Sequence, residues 1–338
     1  MDYRRAMSLI RRIVLSRRAV LTVAVGILTA PLAAPAVGAE GLYPSRPVRI
    51  VLPFAAGGVA DITARLIADR LGTKLGQRFY VENQPGAGGI AAARTVISAP
   101  PDGTTLALLS NGTAISVSLF KKLPFDPIKD FVPISTLGTF DFLFAVRADS
   151  KFKTLDEFIK AAKQKPGALN VGIINAGSTQ NLAAELFKTA AGADFMIVPY
   201  RGTPDVMVSL LQGSVDLTID SYSALKGNLA DGKIRALAAT GPLRSKITPD
   251  IATLRESGIE ASIESWNGLF APAGTPPAVI SALNTALQEI LAEPALKKKL
   301  LELGIDAKPS TPEQLAARLR TDIDKWRVVI EQSGIERQ

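Results

Sequence analysis

The sequence contains neither histidine nor cysteine in its 338 residues. Histidine-based general-base chemistry, serine–histidine triads, thiol catalysis, thiolate metal sites and disulfides are therefore excluded, which removes most hydrolase and metalloenzyme functions. The composition, 47% hydrophobic and 21% charged, is that of a globular protein long enough for two domains or one large α/β domain.

The first 39 residues have the pattern of an export signal. Six arginines within positions 4–18 precede an uncharged stretch over 19–39, which ends in Val37-Gly38-Ala39, the small-residue pattern of a signal-peptidase site. We therefore expect a signal peptide cleaved after about Ala39 and a periplasmic protein that starts at Glu40. The sequence Ser16-Arg17-Arg18 also fits a twin-arginine signal, although the general secretion route stays open. A membrane anchor is the alternative, which the glycine and proline residues within the apolar stretch disfavour.

The positive charge of the sequence lies mostly in this leader. The whole chain has a net charge of +8, from 39 basic and 31 acidic residues. Removing the six arginines and the one acid, Asp2, of the leader leaves 33 basic and 30 acidic residues, a net charge of +3. No basic run with interleaved aromatic residues follows, so we expect no nucleic-acid partner.

A strand, a glycine turn and a helix open the exported part. Residues 48–54 predict the strand, Gly57 and Gly58 the turn, and apolar residues at spacings of three and four after Asp61 the helix. In this layout backbone N–H groups at a helix start face an open crevice, and glycine has no Cβ to block a ligand. Related turns follow at Pro85-Gly86-Ala87-Gly88-Gly89, Ala176-Gly177-Ser178-Thr179 and Tyr200-Arg201-Gly202-Thr203. Four such turns predict a binding cleft.

Strands alternate with helices along the rest of the chain. This alternation predicts an α/β fold in which each lobe has a mostly parallel sheet flanked by helices. Residues 110–113 are expected to form a further loop on the ligand side. The predicted strands cover 79–83, 105–109, 169–174, 195–199, 215–220 and 234–240, and the predicted helices cover 90–99, 155–164, 181–191 and 205–211, with two more around 280–290 and 315–326.

Two apolar segments are expected to join the lobes. Residues 131–149 are strand-like but too long for one ordinary strand, so they are expected to cross from one lobe to the other. Residues 265–272 resemble the return crossing. The predicted first lobe is therefore discontinuous, 40–142 plus 268–338, and the second lobe is 143–267, with the two crossing strands as a hinge.

Several polar residues could either bind a ligand or stabilise the protein's own structure. Ser178 and Thr179 precede a helical run, where a cap and a carboxylate ligand use the same helix-start geometry. Asp61 has the alternative of stabilising the start of its helix. Asp216 and Asp220 share one face of a predicted strand and would suit acid–base chemistry or a metal, but no third ligand type clusters nearby. Neither of the two glycine-rich phosphate-loop signatures is present.

In combination these segments resemble the substrate-binding proteins of tripartite tricarboxylate transporters, the Bug group. The resemblance covers essentially the whole exported chain, in order. The matching segments are Pro53-Phe54-Ala55-Ala56-Gly57-Gly58 with Asp61, Glu82-Asn83-Gln84-Pro85-Gly86-Ala87-Gly88-Gly89, Pro101-Asp102-Gly103-Thr104, Gly177-Ser178, Leu182-Ala183, Glu185-Leu186-Phe187, Val198-Pro199-Tyr200-Arg201-Gly202, Leu211-Gln212-Gly213 with Val215-Asp216, and Gly268-Leu269-Phe270-Ala271-Pro272.

The resemblance implies a two-lobed periplasmic-binding-protein fold of type II, a Venus flytrap, that captures a small, often carboxylated solute for a membrane transporter. We expect a monomer that works with membrane transporter subunits, without enzyme activity, cofactor or metal. The expected ligand-binding residues, from the turns, the 110–113 loop and the resemblance together, are Phe54, Ala56, Gly57, Gly58, Asp61, Gly86, Ala87, Gly88, Gly89, Asn111, Ser178, Thr179, Asn181, Tyr200, Gly202, Thr203 and Asp220.

One position departs from the family pattern. Asn181 stands where the family often has histidine, and an amide cannot become cationic, which argues against a strongly anionic second group on the ligand. A periplasmic sensor module for a signalling protein is the alternative function. An enzyme that uses Asp216 and Asp220 in the same crevice is a third. Ligand identity and affinity, transport or signalling, and the export route are left open by the sequence.

Overall fold

Two β-sheets form the framework of the described part of the chain, residues 43–332 and 334–338 of the computed structural model. The expected leader and its cleavage site lie outside these residues. The strands are β1 (Val48–Leu52), β2 (Phe79–Asn83), β3 (Thr105–Ser110), β4 (Phe131–Phe140), β5 (Phe142–Arg147), β6 (Asn170–Ile174), β7 (Met196–Tyr200), β8 (Leu217–Ser221), β9 (Ile234–Ala239), β10 (Ser265–Pro272) and β11 (Asp306–Ala307).

The helices cover the faces of these sheets. They are α1 (Val59–Leu75), α2 (Ile90–Ile97), α3 (Asn111–Leu119), α4 (Leu155–Gln164), α5 (Thr179–Ala191), α6 (Thr203–Gln212), α7 (Tyr222–Ala230), α8 (Pro277–Ala292), α9 (Pro294–Leu301) and α10 (Pro312–Gln332), with a short 3₁₀ turn at Ala87–Gly89. None of the helices in the described residues is long and apolar enough to span a bilayer.

Both sheets are mixed. The first has the order β11-β4-β10-β3-β1-β2 and the second the order β7-β6-β8-β5-β9. Strands joined by helices are parallel, as alternation predicts: β1 with β2 and β3, and β6 with β7 and β8. Every antiparallel pair includes β4, β5 or β10, the strands beside the lobe crossings.

The chain crosses between the sheets at two places. Asp141 alone separates β4 of the first sheet from β5 of the second, and Glu264 immediately precedes β10, which belongs to the first sheet. Sheet pairing therefore places Phe142 in the second lobe and residues 265–267 in the first. The expected limits, 40–142 plus 268–338 for the first lobe and 143–267 for the second, assign Phe142 to the first lobe and 265–267 to the second. At the first crossing the discrepancy arises because Asp141 lies inside a nearly continuous apolar run, which contains no turn signal at the exchange point.

Three helices, α3, α7 and α9, occur where the sequence pattern indicates none. The expected loop over 110–113 is instead the start of α3: the N–H of Gly112 donates to Ser110 Oγ at 3.1 Å, and the N–H of Ser110 donates to Thr113 Oγ1 at 3.3 Å. Apart from Val117, every residue of α3 is buried. A helix buried on all sides lacks the polar and apolar periodicity by which a surface helix is recognised.

Asp141, at the first crossing, is held close to the second crossing. The pKa of the Asp141 carboxyl is raised to about 6, chiefly by burial and also by the nearby Glu264 carboxylate. Hydrogen bonds from backbone N–H groups, including that of Gly241, lower this pKa in part. The two acids are therefore a source of instability at neutral pH.

We expect Asp141→Asn to increase the free energy of unfolding at neutral pH by up to about 3 kcal/mol. Because the folded-state pKa lies above the ordinary value of 3.8, the folded protein binds this proton more tightly than the unfolded chain does. The carboxyl therefore favours folding below about pH 4, and that benefit is lost as the pH rises towards about 6. Urea unfolding across this range should show a difference between variant and wild type that grows with pH, whereas the exposed Asp250→Asn should show none. A difference that does not change with pH would contradict the assignment.

Candidate functional site

The site is the cleft between the two lobes, at the carboxyl ends of the parallel strands. From the first lobe, the turn after β1 and the start of α3 after β3 reach it. From the second lobe come the turn after β6, the turn between β7 and α6, and the end of β8. Loops at this edge of an open α/β sheet form the usual ligand crevice.

The lobes touch each other across the cleft, so the structure is a closed arrangement. Asn175 Nδ2 in the second lobe donates to the Pro53 carbonyl of the first at 3.3 Å. The Gly88 N–H donates to the Ala176 carbonyl at 3.2 Å. The hydroxyl oxygens of Thr179 and Ser265 lie 3.2 Å apart. These contacts hold the two lobes together across the cleft.

Closure leaves a narrow main cavity between the lobes that is still partly open to solvent. Its walls combine aromatic and aliphatic side chains with a few polar groups, the usual make-up of a small-molecule site. The main cavity is lined by Phe54, Ala55, Gly58, Val59, Ala60, Ser110, Phe140, Phe142, Ile174, Thr179, Gln180, Gly202, Thr203, Asp220, Ser265 and Asn267.

The start of α1 presents backbone donors to the main cavity. Gly58, its N-cap residue, supplies no side-chain cap, and Gly58, Val59 and Ala60 all line the cavity. The first N–H groups of a helix have no partner within the helix, and the helix dipole adds positive charge there. This wall therefore suits an anion.

The turn before α1 is held by Asp61, which is 4% exposed. Its Oδ2 accepts from the Gly57 N–H at 3.0 Å and from Arg65 Nε at 3.0 Å, and its Oδ1 accepts from Asn83 Nδ2 at 3.0 Å. Burial raises the pKa of this carboxyl, but the hydrogen bonds from Arg65, Gly57 and Asn83 and the Arg65 charge outweigh it, so the pKa is lowered overall. Asp61 thus points away from the cavity and fixes the turn.

The wall from the second lobe carries a carboxylate, Asp220, which is 2% exposed. Its Oδ2 accepts from Thr203 Oγ1 at 2.6 Å, and its Oδ1 accepts from the Ser221 N–H at 2.8 Å and from Gln180 Nε2 at 3.3 Å. Burial raises the pKa of the Asp220 carboxyl above its ordinary value, although these hydrogen bonds lower it in part. Of the described residues that line the main cavity, Asp220 is the only ionisable one.

Asn267 supplies an unused donor on the first-lobe wall. It lies in β10, lines the main cavity and is 1% exposed. Its Nδ2 has no hydrogen-bond partner among the described residues. A buried amide donor without a partner is unfavourable, so a ligand acceptor placed there would gain a hydrogen bond from Asn267.

A smaller side cavity adjoins the main cavity at Phe54 and Ser110. Several donors around it are already engaged. The Gly177 N–H donates to Asn181 Oδ1 at 3.0 Å, and the Asn181 N–H donates to Ser178 Oγ at 3.1 Å. Its lining residues are Pro53, Phe54, Gly86, Gly88, Gly89, Ser110, Gly112, Thr113, Ser116, Asn175, Ala176, Gly177 and Ser178.

The structure brings ten of the residues expected to bind ligand to the cleft and places the other seven outside both cavities. In the main cavity lie Phe54, Gly58, Thr179, Gly202, Thr203 and Asp220, and in the side cavity Gly86, Gly88, Gly89 and Ser178. Those that line neither cavity are Ala56, Gly57, Asp61, Ala87, Asn111, Asn181 and Tyr200.

Besides Asp61, three of the seven have a clear structural role instead. Asn111 Oδ1 accepts from Trp326 Nε1 at 2.6 Å, which ties α3 to α10. Asn181 holds the Gly177 turn, so its side chain faces the protein and not the cavity. The Tyr200 carbonyl accepts from the Asn175 N–H at 2.9 Å, and the Tyr200 ring packs against the core of the second lobe.

Several lining residues were outside the expected set. Ser265 and Asn267 lie on one face of β10, whose residues are all buried. Because polar residues are seldom buried without a partner, their presence in this apolar segment could have indicated a binding role. Gln180 follows the expected Thr179 directly. Phe140 and Phe142 also line the main cavity. Their role could not be predicted, because in the sequence a phenylalanine beside a crossing point looks the same as one that packs in the core.

Asp216 and Asp220 do not form a carboxylate pair. Asp216 precedes β8 and its Oδ2 accepts from the Asn170 N–H at 2.8 Å, whereas Asp220 lies near the cleft end of the strand. Four residues of extended chain separate them by about 13 Å. No group of three or more acidic side chains in the described part of the chain is arranged to hold a metal ion.

Comparisons with known proteins agree with this architecture. The family model described as "Tripartite tricarboxylate transporter family receptor" matches residues 63–335. The periplasmic binding protein BugD superposes with a TM-score of 0.84 at 31% identity, covering 88% of this chain and 100% of BugD. The predicted two-lobed α/β fold of a periplasmic binding protein is confirmed.

Two further solved structures are similar and contain bound acids. Rpa4515 of R. palustris, solved with adipate, has a TM-score of 0.84 and 33% identity, covering 87% of this chain and 99% of that chain. MatC (Rpa3494) from Rhodopseudomonas palustris, solved with bound malate, has a TM-score of 0.81 and 34% identity, covering 85% of this chain and 100% of that chain.

Proposed function

The chain belongs to the receptor family of the tripartite tricarboxylate transporters, and from this premise we propose that it captures a small carboxylated solute between its lobes and delivers it to the membrane subunits of such a transporter. The proposal places the protein in the periplasm after removal of residues 1–39. It assigns the protein a binding role without turnover of the solute.

The observation that carries the proposal is the uncapped start of α1 facing the main cavity. Gly58, Val59 and Ala60 present backbone donors to a narrow space between the closed lobes. In a narrow protein cleft, hydrogen bonds to an anion are stronger than in bulk water. Binding with neutral dipoles needs no histidine, cysteine or metal, which agrees with the composition. The acids bound by Rpa4515 and MatC support a carboxylate as the ligand group.

The proposal is tested by a thermal-shift screen of the purified exported protein against small carboxylates and their amides. A ligand at about 100 times its Kd stabilises the folded state by about 2.7 kcal/mol, which is a readily visible shift. We expect selective stabilisation by one class of carboxylate, and mass spectrometry should recover that compound chemically unchanged. Hits confined to uncharged compounds, or turnover of the hit, would contradict the proposal.

Delivery to a transporter is tested in cells. Deleting the gene should abolish uptake of the identified solute, and restoring the wild-type gene should recover it. Normal uptake with a lost transcriptional response to the solute would instead favour a sensor role.

A further inference from the structure

Resting on that proposed function, we propose that Asp220 makes the cleft select a solute with a single carboxylate. The end of the solute opposite that carboxylate carries a group that donates hydrogen bonds, such as an amide, a hydroxyl or an ammonium. A second carboxylate is disfavoured.

Asp220 already occupies the anion position of the second lobe. Its three donors come from the first turns or caps of three helices: Thr203 is the first residue of α6, Gln180 is the second residue of α5, and Ser221 is the N-cap of α7. Thr203 and Gln180 donate through their side chains, and Ser221 donates through its backbone N–H. Polar donors at helix starts are groups that a bound anion would use. Here they are already engaged by a side chain of the protein itself, so a ligand carboxylate gains little there.

No cation offsets Asp220 within the cavity. The described residues that line the main cavity include no lysine or arginine, and Asp220 forms no ion pair with any described residue. A second carboxylate on the ligand would therefore lie against the Asp220 carboxyl in a narrow space, where two carboxylates cannot both ionise without a large cost. A donor group would instead find an acceptor, because a carboxylate oxygen with one hydrogen bond retains a second lone pair.

The first-lobe wall has the opposite character. The start of α1 at Gly58–Val59–Ala60 and the unpartnered Nδ2 of Asn267 are all donors. The ligand carboxylate is therefore assigned to this wall, and the donor group to Asp220. The two walls fix the orientation of the solute, with acceptors facing the first lobe and donors facing the second.

Aromatic and aliphatic side chains between the two walls favour an apolar body. Phe54, Phe140, Phe142 and Ile174 line the same cavity. Burial of hydrocarbon against these side chains adds affinity without adding charge. The favoured class is thus a monocarboxylate with an aliphatic or aromatic body and a neutral or cationic polar end.

The test is a binding panel in which only the far end of each compound changes. Succinate, succinamate and 4-aminobutanoate form one set. Adipate, adipamate and 6-aminohexanoate form a second, and terephthalate, its monoamide and 4-aminomethylbenzoate a third. Affinities for the wild-type protein are measured by calorimetry after a thermal-shift screen. We expect the best ligand of the panel to carry one carboxylate and to bind at least about tenfold more tightly than the dicarboxylate of its own set.

Asp220→Asn tests the residue directly, because it removes the charge and keeps the size of the side chain. The variant should bring the ratio between the monocarboxylate and the dicarboxylate close to one, chiefly by improving the dicarboxylate. Asp205→Asn is the matched control: Asp205 lies in the first turn of the same helix α6 but is exposed and does not line the cavity. It should leave the ratio unchanged. The wild-type ranking stands as a test even if Asp220→Asn fails to fold.

The outcomes separate this inference from the proposed function. If a dicarboxylate binds best to the wild-type protein, the assignment of Asp220 is overturned while carboxylate binding stands. The assignment is likewise overturned if Asp220→Asn folds and leaves the ratio as it was. If no carboxylate in the panel binds, the proposed function fails and the inference fails with it.

Discussion

Gly202→Ala is expected to weaken ligand binding by about a hundredfold while leaving the fold intact. Gly202, the N-cap of α6, has a φ of 177°, an extended conformation that alanine adopts without strain. In the closed arrangement, however, an added Cβ would clash with the Cβ of Ala55 in the opposite lobe. The substitution therefore opposes closure specifically, because the clash disappears when the lobes separate.

The control for this prediction is a compensating change in the opposite lobe. Ala55→Gly combined with Gly202→Ala removes the clash and should restore most of the affinity. Gly227→Ala, in α7 of the same lobe, adds a Cβ with nothing within 4 Å and should bind like the wild type. Calorimetry gives the affinities, and thermal unfolding without ligand checks the fold. Full affinity in Gly202→Ala alone would contradict the closed arrangement as the binding state.

Asp61→Asn is expected to lower the free energy of unfolding by about 2–3 kcal/mol. The Asp61 carboxylate accepts hydrogen bonds from the Gly57 N–H, Arg65 and Asn83. An asparagine side chain has only one accepting oxygen, and its NH₂ group would face hydrogen-bond donors. Because Asp61 positions the turn before α1, ligand affinity should fall as well. Asp69→Asn, an exposed acid on the same helix, should change stability by no more than about 0.5 kcal/mol.

The pH dependence of the Asp61 contribution has the opposite sign to that of Asp141. The folded-state pKa of Asp61 is below its ordinary value of 3.8, so its contribution is fully present above about pH 4 and is lost as the pH falls through the folded-state pKa. The stability difference between wild type and Asp61→Asn should therefore shrink on acidification. A difference that persists in acid would show that the carboxylate charge is not the cause.

The sequence pattern located the cleft because its turns depend on local chemistry. Gly58 and Gly202 each stand between a strand and a helix, and the carboxyl ends of parallel strands share one edge of a sheet. This places Gly58 and Thr203 at the cavity without further information. The two-lobed arrangement could be predicted in the same way, from two apolar crossing segments.

The direction of side chains could not be predicted in this way. Asp61, Asn111 and Asn181 all lie beside the cleft in the chain, but each side chain turns back to hold a backbone N–H or another side chain. A short polar side chain at a helix start can hydrogen-bond either to a ligand or to the protein's own backbone, and the geometry is the same in both cases. Which of the two hydrogen bonds forms depends on neighbours that are far away in sequence, such as Trp326 for Asn111.

Contacts set by the return crossing were equally inaccessible. Asn267 lines the cavity because β10 lies between β3 and β4, with Asn267 opposite Ser110 and Gly138. The selectivity that we assign to Asp220 depends on donors from three helix starts that converge only in the folded lobe. In the sequence, Asn181 was the residue that argued against a second anionic group on the ligand, whereas we now assign this selectivity to Asp220.

The central claim is that backbone donors of the first lobe bind the carboxylate of a solute enclosed by both lobes. A crystal structure with the tightest-binding carboxylate of the panel tests it most directly. We predict closed lobes and carboxylate oxygens within about 3.2 Å of the main-chain nitrogens at the start of α1 or of Asn267 Nδ2. A carboxylate bound in the side cavity, or held by the second lobe alone with the lobes apart, would contradict the claim.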